Sequence, residues 1–572
     1  MRDASRTSAR TSIAAGLVAL ALLAAGCSSD DGDAADDGPT TTAKGASTTT
    51  AVVDEDPTFV EADCWWELPD DVPVGTTVTC GTVDVPADRT DPDAATISLP
   101  VVRIHRAGAS ADAPPLIYLH GGPGGDVLAT APAGLLALDA LDDRDLIAFD
   151  QRGAGRATPS LNCPEKEEAV LDALGAARPW AEELVANRDA VAACWKRLAD
   201  AGIDLDDYDT PASVADMESI RAAFDLDTWN LWGGSYGTRL GLAYAREHPD
   251  RVRSLVIDSV YSPDVGGVDR SQSLPTEAVS RLADACDAQP SCATAHGDIA
   301  LELQQAIAAF DADPEELTGD VQVGDETVTR DFALTGPDVL AGMFAALYDS
   351  DLIPSLPGVI AALATGDRSI IPAFVSTGVP RLIDLSEGAF YSVECADSGR
   401  LFDPADGAAA LLDPGPLALV ALGTAETFCP DWPVEHVPAA FNEPVTVDVP
   451  TLVFGGTLDP ITPYASPRPR PSGCPMPASC RCPTAATAWA GSTTARGRRA
   501  RPSGTTPRPT CRPARPTSRP RRSAEGSRHG HHVPTLRGRR PPPDPDHPLS
   551  WSSRPWLPSP SPRPPAPSTR RT

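Results

Sequence analysis

The feature that most constrains this chain is the motif Gly-Gly-Ser-Tyr-Gly at residues 233–237. An apolar run at 229–232 predicts a buried strand before it, and the pattern at 238–249 predicts a helix after it. A strand, a G-x-S-x-G turn and a helix in this order are the context of a nucleophile elbow. The motif therefore predicts a reactive Ser235 at a helix N-terminus, where backbone N–H groups face a developing oxyanion. A glycine-rich turn with a surface serine is the alternative.

Other strand patterns alternate with helical patterns along the chain. They lie at 96–106, 116–119, 146–149, 255–257 and 451–454. This alternation predicts an α/β fold with a mostly parallel sheet and helices on both faces. Each informative loop follows the carboxyl end of a strand, where such sheets place their sites. Between 263 and 442 the strand signal fades and helical patterns take over, which predicts an inserted helical cap over the site.

The charge of the chain is divided unevenly. The formal net charge is −32 over 572 residues, but the part from Ser466 onward holds 21 Arg, no Lys and three acidic residues. That part therefore carries +18, and residues 1–465 carry −50. A region with this much negative charge binds nucleic acid poorly, so we expect no nucleic-acid partner.

The N-terminus has the organisation of a bacterial export signal. Arg2, Arg6 and Arg10 precede an apolar run at 13–25 that is too short to span a membrane. Small residues directly before Cys27 resemble a lipobox, which implies lipidation of Cys27 after cleavage. We therefore expect an exported lipoprotein on the outer face of the cytoplasmic membrane, with ordinary secretion as the alternative. Residues 28–58 have the composition of a disordered tether.

Cysteine usage agrees with export. Between the tether and Ala465 there are eight cysteines: Cys64, Cys80, Cys163, Cys194, Cys286, Cys292, Cys395 and Cys429. An even number in an exported chain predicts disulfides, and we predict pairing of sequence neighbours among the 105 connectivities that eight cysteines allow. This stretch contains no C-x-x-C pair and no His–Cys cluster, so we expect no metal and no cofactor.

Four motifs in this order resemble a known family: HGGPGG at 120–125, DQRGAGRA at 150–157, GGSYGTRL at 233–240 and GGTLDPITP at 455–463. Together they resemble the exported tripeptidyl-aminopeptidase and prolyl-aminopeptidase-like α/β-hydrolases of actinobacteria, over about residues 60–465. The lipobox and the early cysteines are similar to the tripeptidyl-aminopeptidase, lipoprotein branch. The resemblance implies an α/β-hydrolase fold and a Ser–Asp–His triad that acts on peptides.

The resemblance also implies roles for individual residues. Ser235 matches the nucleophile and Asp459 the acid, with Asp258 as the rival acid. The oxyanion donors are expected to be the backbone N–H groups of Tyr236 and of Gly121 or Gly122. His120 precedes the nucleophile on the oxyanion loop, so we interpret it as a shaping residue. Two cap carboxylates are candidate ligands of a substrate ammonium: Glu394 and Asp397.

The family's catalytic histidine has no counterpart in this sequence. It usually follows the acid by about 25–35 residues, but residues 466–500 contain no histidine and no strand pattern. From Ser466 the chain has 25 of its 60 prolines and no Ile, Phe or Tyr, so it cannot bury a core and predicts a disordered tail. Arg, Pro, Ser, Thr, Ala and Gly dominate when GC-rich DNA is translated out of frame. We therefore hypothesise a frameshift near Ser466, and the catalytic histidine is unknown.

These observations divide the chain into six parts. They are a signal peptide (1–27), the tether (28–58), a hydrolase core (59–262), the cap (263–442), the continued core with the acid motif (443–465) and an Arg/Pro-rich tail (466–572). The expected function is envelope-anchored serine exopeptidase activity that releases short peptides from free N-termini. An esterase or lipase on the same fold and a catalytically dead binding protein are the alternatives.

Overall fold

The structure is a computed structural model that describes residues 57–65, 72, 74–110, 112–130, 135, 143–265, 274–324, 326–382, 385–401 and 424–463. The predicted signal peptide, the lipidation site Cys27, nearly all of the tether and the tail lie outside these residues. None of the helices within them combines the length and apolar composition that a membrane span needs.

The core is an eight-stranded sheet in the order β1-β2-β3-β5-β4-β6-β7-β10. Its strands are β1 (Phe59–Ala62), β2 (Thr77–Pro86), β3 (Thr96–His105), β4 (Leu116–Leu119), β5 (Leu146–Phe149), β6 (Trp229–Gly234), β7 (Val252–Asp258) and β10 (Thr451–Phe454). The strands from β5 to β10 run parallel, and β1, β2 and β3 extend the sheet in antiparallel fashion. The predicted α/β fold with a mostly parallel sheet is confirmed, whereas the sequence patterns missed β1 and β2.

Helices cover the sheet and build the cap. They are α1 (Val127–Thr130), α2 (Pro164–Gly175), α3 (Trp180–Asp200), α4 (Thr210–Ala223), α5 (Tyr236–Glu247), α6 (Leu274–Asp287), α7 (Pro290–His296), α8 (Ile299–Ala312), α9 (Gly336–Ala346), α10 (Leu356–Ala364), α11 (Ile371–Gly378), α12 (Glu387–Ser398) and α13 (Ala425–Phe428). Short 3-10 turns occupy Leu205–Asp207, Pro249–Arg251, Ile353–Ser355, Val379–Leu382, Cys429–Asp431 and Ala439–Asn442.

The central strands are apolar because both of their faces are covered. All four residues of β4 and all four of β5 are buried. Helix α5, which follows β6, buries ten of its twelve residues. Near-continuous apolar runs of this kind are typical of parallel strands between two helical layers. The core therefore holds the carboxyl ends of five parallel strands at one edge, where the loops with the four motifs begin.

The cap contains one element that the sequence patterns did not predict. β8 (Glu315–Val323) and β9 (Glu326–Leu334) pair as an antiparallel hairpin between α8 and α9. Only Val321, Phe332 and Leu334 are buried hydrophobic residues in it, and most other positions carry Glu, Asp, Thr or Gln. Because few alternate positions in this segment are apolar, its sequence periodicity does not indicate a strand. Among the described residues of the cap, this hairpin is the strand element that interrupts the helices.

The eight cysteines form four disulfides between sequence neighbours. The pairs are Cys64–Cys80, Cys163–Cys194, Cys286–Cys292 and Cys395–Cys429. The first joins the loop after β1 to β2, and the second joins the N-terminus of α2 to α3. The other two lie in the cap, where Cys395–Cys429 ties α12 to the segment after α13.

Candidate active site

Ser235 lies at the turn between β6 and α5, in a backbone conformation that L-residues rarely adopt. Its φ is 52° and its ψ is −122°. Its N–H donates to the carbonyl oxygen of Asp258 over 3.0 Å, and its carbonyl oxygen accepts from the Thr238 N–H over 2.9 Å. A strained serine held on both sides by hydrogen bonds is what a nucleophile elbow requires. The side chain is half-buried, so it can be reached from the surface.

Two of the three motif glycines are required by direct backbone contact. A Cβ on Gly233 would lie 2.2 Å from the carbonyl oxygen of Gly237, and a Cβ on Gly237 would lie 2.0 Å from that of Leu119. The nearest atom to a Cβ on Gly234 is the Tyr118 hydroxyl at 3.9 Å. The turn is therefore so tight that only the first and last glycines of G-x-S-x-G have no room for a side chain.

The loop after β4 carries the second expected oxyanion donor and lies against the elbow, since a Cβ on Gly237 would be 3.0 Å from the His120 carbonyl oxygen. Gly122 has φ 114°, and a Cβ on it would approach the N atoms of Gly125 and Gly124 at 2.9 and 3.0 Å. His120 lies inside this loop: its Nδ1 contacts the Tyr118 hydroxyl at 3.3 Å, and a Cβ on Gly125 would lie 2.8 Å from its Nε2. Burial lowers the pKa of His120 to about 4. An imidazole this enclosed is poorly suited to act as a base near neutral pH, and its contacts fit a shaping role.

Two aspartates lie near the elbow at neighbouring strand ends. In the sheet register Gly234 is beside Asp258, and Asp258 is beside Phe454, the last residue of β10. Asp459, five residues further on, is fully buried and accepts hydrogen bonds from the N–H groups of Ile461 and Thr462 at 3.0 and 2.8 Å. Burial and the Asp459 charge raise the pKa of Asp258. The geometry thus brings both candidate acids to the edge of the sheet that carries Ser235.

None of the five described histidines is hydrogen-bonded to Asp459, whose carboxylate contacts its own loop. His105 pairs with Asp145 at 2.7 Å. His248 packs against the Tyr244 ring, and Nδ1 of His436 contacts the carbonyl oxygen of Cys395 at 3.0 Å. The catalytic histidine therefore remains unassigned.

Glu394 and Asp397 lie on α12 in a buried polar network beside α5. The Tyr261 hydroxyl donates to Glu394 over 2.8 Å, and the Thr210 hydroxyl donates to Asp397 over 2.5 Å. Arg239 of α5 reaches Asp397 at 3.6 Å. Burial raises the pKa of both carboxyl groups, although Arg239 opposes the shift, and that of Asp397 rises to about 6. Their predicted contact with a substrate ammonium stays a prediction, because protein groups occupy both carboxylates.

The sequence patterns missed the residues that join the cap to the two loops of the site. Ser386, just before α12, contacts the loops after β4 and β5, and Thr210 contacts both Asp397 and Tyr236. No local signal pointed to them, because a serine before a helix ordinarily indicates a helix cap. As for metals, no group of three or more His, Cys, Asp or Glu side chains in the described ranges is placed to hold an ion.

A parallel sheet with a strained serine between a strand and a helix, and loops at the carboxyl edge, defines an α/β-hydrolase. Residues 114–284 match the family described as "alpha/beta hydrolase fold", and residues 418–469 match "TAP-like protein". The chain is an α/β serine hydrolase related to the TAP-like proteins.

Its distant homologues include peptidases and an esterase. Tripeptidyl aminopeptidase of Streptomyces coelicolor is 28% identical over 435 residues, which cover 70% of this chain and 74% of that protein. Serine protease Hip1 of Mycobacterium tuberculosis is 27% identical, with 67% of this chain and 77% of that protein covered. Carboxylesterase B of Mycobacterium tuberculosis is 28% identical, with 68% and 77% covered.

Proposed function

We propose that this protein is a serine exopeptidase that releases short peptides from free N-termini of its substrates. The observation that carries the proposal is the strained Ser235 at the elbow, flanked by Gly233 and Gly237 where backbone contact excludes a side chain. The similarity to a tripeptidyl aminopeptidase and to a serine protease supports a peptide substrate over other acyl compounds.

In the proposed reaction the Ser235 hydroxyl attacks the scissile carbonyl carbon. The oxyanion that forms accepts hydrogen bonds from the N–H of Tyr236 and from that of Gly121 or Gly122. Asp459 orients a histidine base, which takes the serine proton and later delivers it to the leaving amine. That histidine is not identified in the sequence. Loss of a triad member typically costs about 10⁴–10⁶ in turnover, so the chain as printed should be a very weak catalyst.

An exopeptidase of this type must bind the ammonium of the substrate. Glu394 and Asp397 are the candidates, and a substrate would have to displace Tyr261 from Glu394 or Thr210 from Asp397. Residues 1–465 carry a formal charge of −50, and this negative charge attracts a substrate with a cationic N-terminus.

The nucleophile is tested by labelling with a fluorophosphonate. We expect modification of Ser235 and none in Ser235→Ala, which should also lose about 10³-fold or more of the peptidase turnover. The assay uses a frame-restored version, in which the reading frame is restored after codon 465, because the chain as printed lacks an identified base. Undiminished turnover by Ser235→Ala in this version would remove the serine mechanism.

A substrate panel separates the peptidase from the esterase that the carboxylesterase relative also supports. It contains tripeptidyl p-nitroanilides with free and acetylated N-termini, and p-nitrophenyl esters of increasing acyl length. An exopeptidase prefers the free tripeptide, whereas an esterase turns over only the esters. No turnover and no labelling in the frame-restored version would favour the non-catalytic binding protein.

We also propose that Cys27 anchors the mature protein to the outer face of the membrane. The support is the export signal with small residues before Cys27. The mature chain should begin at a lipidated Cys27 and partition into detergent, and Cys27→Ser should abolish the lipid. An unmodified cysteine on a freely secreted form, found by mass spectrometry, would contradict this proposal and favour secretion.

A further inference from the structure

We propose that one cap helix, α12, positions both halves of the oxyanion hole, with Ser386 and Asp397 as its positioning residues. The proposal rests on the proposed function, because it takes Tyr236 and the Gly121–Gly122 loop as the oxyanion donors. It follows from contacts at the two ends of α12: one end binds the loop that contains Gly121 and Gly122, and the other is linked through Thr210 to the side chain of Tyr236.

At the N-terminal end, the cap backbone packs directly on the loop after β4. The Ser386 N–H donates to the carbonyl oxygen of Gly124 over 2.9 Å, and Leu385 forms a β-bridge with Gly125. A Cβ on Gly124 would lie 2.6 Å from the Ser386 carbonyl oxygen. The loop that offers Gly121 and Gly122 is therefore held on its outer side by the residues that start α12.

The Ser386 hydroxyl extends this contact to the loop after β5. It accepts from the Gly155 N–H over 3.1 Å and donates to the Asn162 side-chain oxygen. A serine before a helix normally uses its hydroxyl to cap that helix, but α12 has no side-chain cap. The hydroxyl forms its hydrogen bonds with the loop after β5 instead. Ser386 thus joins three segments that are distant in the sequence.

At the C-terminal end, Asp397 reaches the other donor through Thr210. Asp397 accepts from the N–H and the hydroxyl of Thr210 at 3.2 and 2.5 Å. The same Thr210 hydroxyl lies 2.6 Å from the hydroxyl of Tyr236, which therefore donates to it. Tyr236 is the first residue of α5 and supplies the oxyanion N–H next to Ser235. This chain of hydrogen bonds fixes the orientation of the elbow relative to α12.

Helix α12 is itself held from its other side. The Cys395–Cys429 disulfide attaches it to the segment after α13. Oxyanion donors act only when they lie about 2.7–3.1 Å from the oxygen that develops charge. A shift at either end of α12 would move one donor relative to the other, so its contacts should affect turnover more than substrate binding.

The test compares Ser386→Ala and Thr210→Val with Ser392→Ala as the matched control. Ser392 is a buried serine on the same helix whose hydroxyl accepts a hydrogen bond from Trp432, 3.1 Å away, and not from either loop. In the full chain as printed, Ser386→Ala removes the hydroxyl bonds to the loop after β5, so hydrogen–deuterium exchange should become faster at residues 153–162. It should also become faster at 121–128, because the backbone of residue 386 that holds Gly124 is then less restrained. In Thr210→Val the faster exchange should appear at 235–238. The control should leave all of these segments unchanged. Asn162→Ala, at an exposed position, repeats the first result if Ser386→Ala folds poorly.

In the frame-restored version, kcat should fall about tenfold or more in Ser386→Ala with KM within about twofold, because outright removal of a donor costs about 10²–10³. Unchanged exchange at 121–128, or an equal loss of kcat in Ser392→Ala, would overturn the proposal. If the wild type neither hydrolyses substrates nor labels at Ser235, the proposed function fails, and the exchange experiment still decides whether α12 holds the two segments.

Discussion

Three of the five motif positions at the elbow are glycine, but they differ in whether a larger side chain would fit. Gly233 faces backbone atoms of its own turn and Gly237 faces those of β4, and backbone cannot move aside as a flexible side chain can. Gly234 faces open space up to the Tyr118 hydroxyl. The requirement for glycine thus comes from the turn itself at Gly233 and from the packing of the turn on β4 at Gly237.

We therefore expect Gly237→Ala to destabilise the protein by at least about 2 kcal/mol and to abolish labelling of Ser235, because the new Cβ overlaps the Leu119 carbonyl. Gly234→Ala is the control and should keep both properties. Thermal denaturation and fluorophosphonate labelling measure the two effects. Equal behaviour of the two variants would mean that the turn is looser than the contacts indicate.

A second effect at this scale concerns the carboxyl pair of Asp150 and Asp126. Burial and the charge of Asp126 raise the pKa of Asp150 to about 8. Asp150 accepts from the N–H groups of Leu128 and Arg156, each at 3.0 Å, and so braces the loops after β4 and β5. The folded state keeps a proton that the unfolded chain has released above about pH 4. The stability that this bound proton gives the folded state is fully present below about pH 4 and is lost as the pH rises toward 8.

Asp126→Asn should lower the pKa of Asp150 and reduce this loss. We expect the Tm of the variant, relative to that of the wild type, to increase as the pH rises from 5 to 8. Asp250→Asn removes one charge from an exposed turn and serves as the control. The measurement is thermal denaturation at pH 5, 6.5 and 8, and a difference that is constant with pH would contradict the pairing.

At the scale of elements, the disulfides join segments of different length. Cys163 and Cys194 are 31 residues apart, and Cys286 and Cys292 are six apart. In the chain-entropy view a longer closed loop restrains the unfolded chain more strongly. The bond between α2 and α3 should therefore stabilise the fold more than the short loop in the cap does.

Cys163→Ser with Cys194→Ser should lower the free energy of unfolding by about 2–4 kcal/mol, and Cys286→Ser with Cys292→Ser should lower it by less. Chemical denaturation measures both. In the wild type, iodoacetamide without reduction should modify none of the eight body cysteines. Peptides with several of them alkylated would show that the pairs do not form in the mature protein.

At the scale of the whole molecule, β10 is the strand that connects the sheet to the loop with the candidate catalytic acid. This edge strand carries the acid loop, and the remaining sequence from Ser466 has neither a strand pattern nor the histidine that a triad needs. An abrupt change to Arg, Pro, Ser, Thr, Ala and Gly fits a shifted frame of GC-rich DNA better than a native tail, because a native tail would leave the triad without a base.

We therefore expect one of the other two frames beyond codon 465 to encode an apolar strand followed by a Gly-His loop within about 35 codons of Asp459. Resequencing of the DNA and translation of all three frames test this. If the present frame is confirmed and neither alternative contains such a segment, the frameshift hypothesis is wrong and the non-catalytic protein gains support.

Local pattern alone predicted the five parallel strands, the elbow and the acid loop, because buried strands and glycine turns are encoded by neighbouring residues. It could not predict the antiparallel strands β1 and β2 or the β8–β9 hairpin, whose apolar alternation is weak. The tertiary structure decided what surrounds the site. Ser386 meets Gly155 across 231 residues of sequence, and Asp397 meets Thr210 across 187. Such contacts depend on how the cap packs on the core, so the local periodicity of either segment does not predict them.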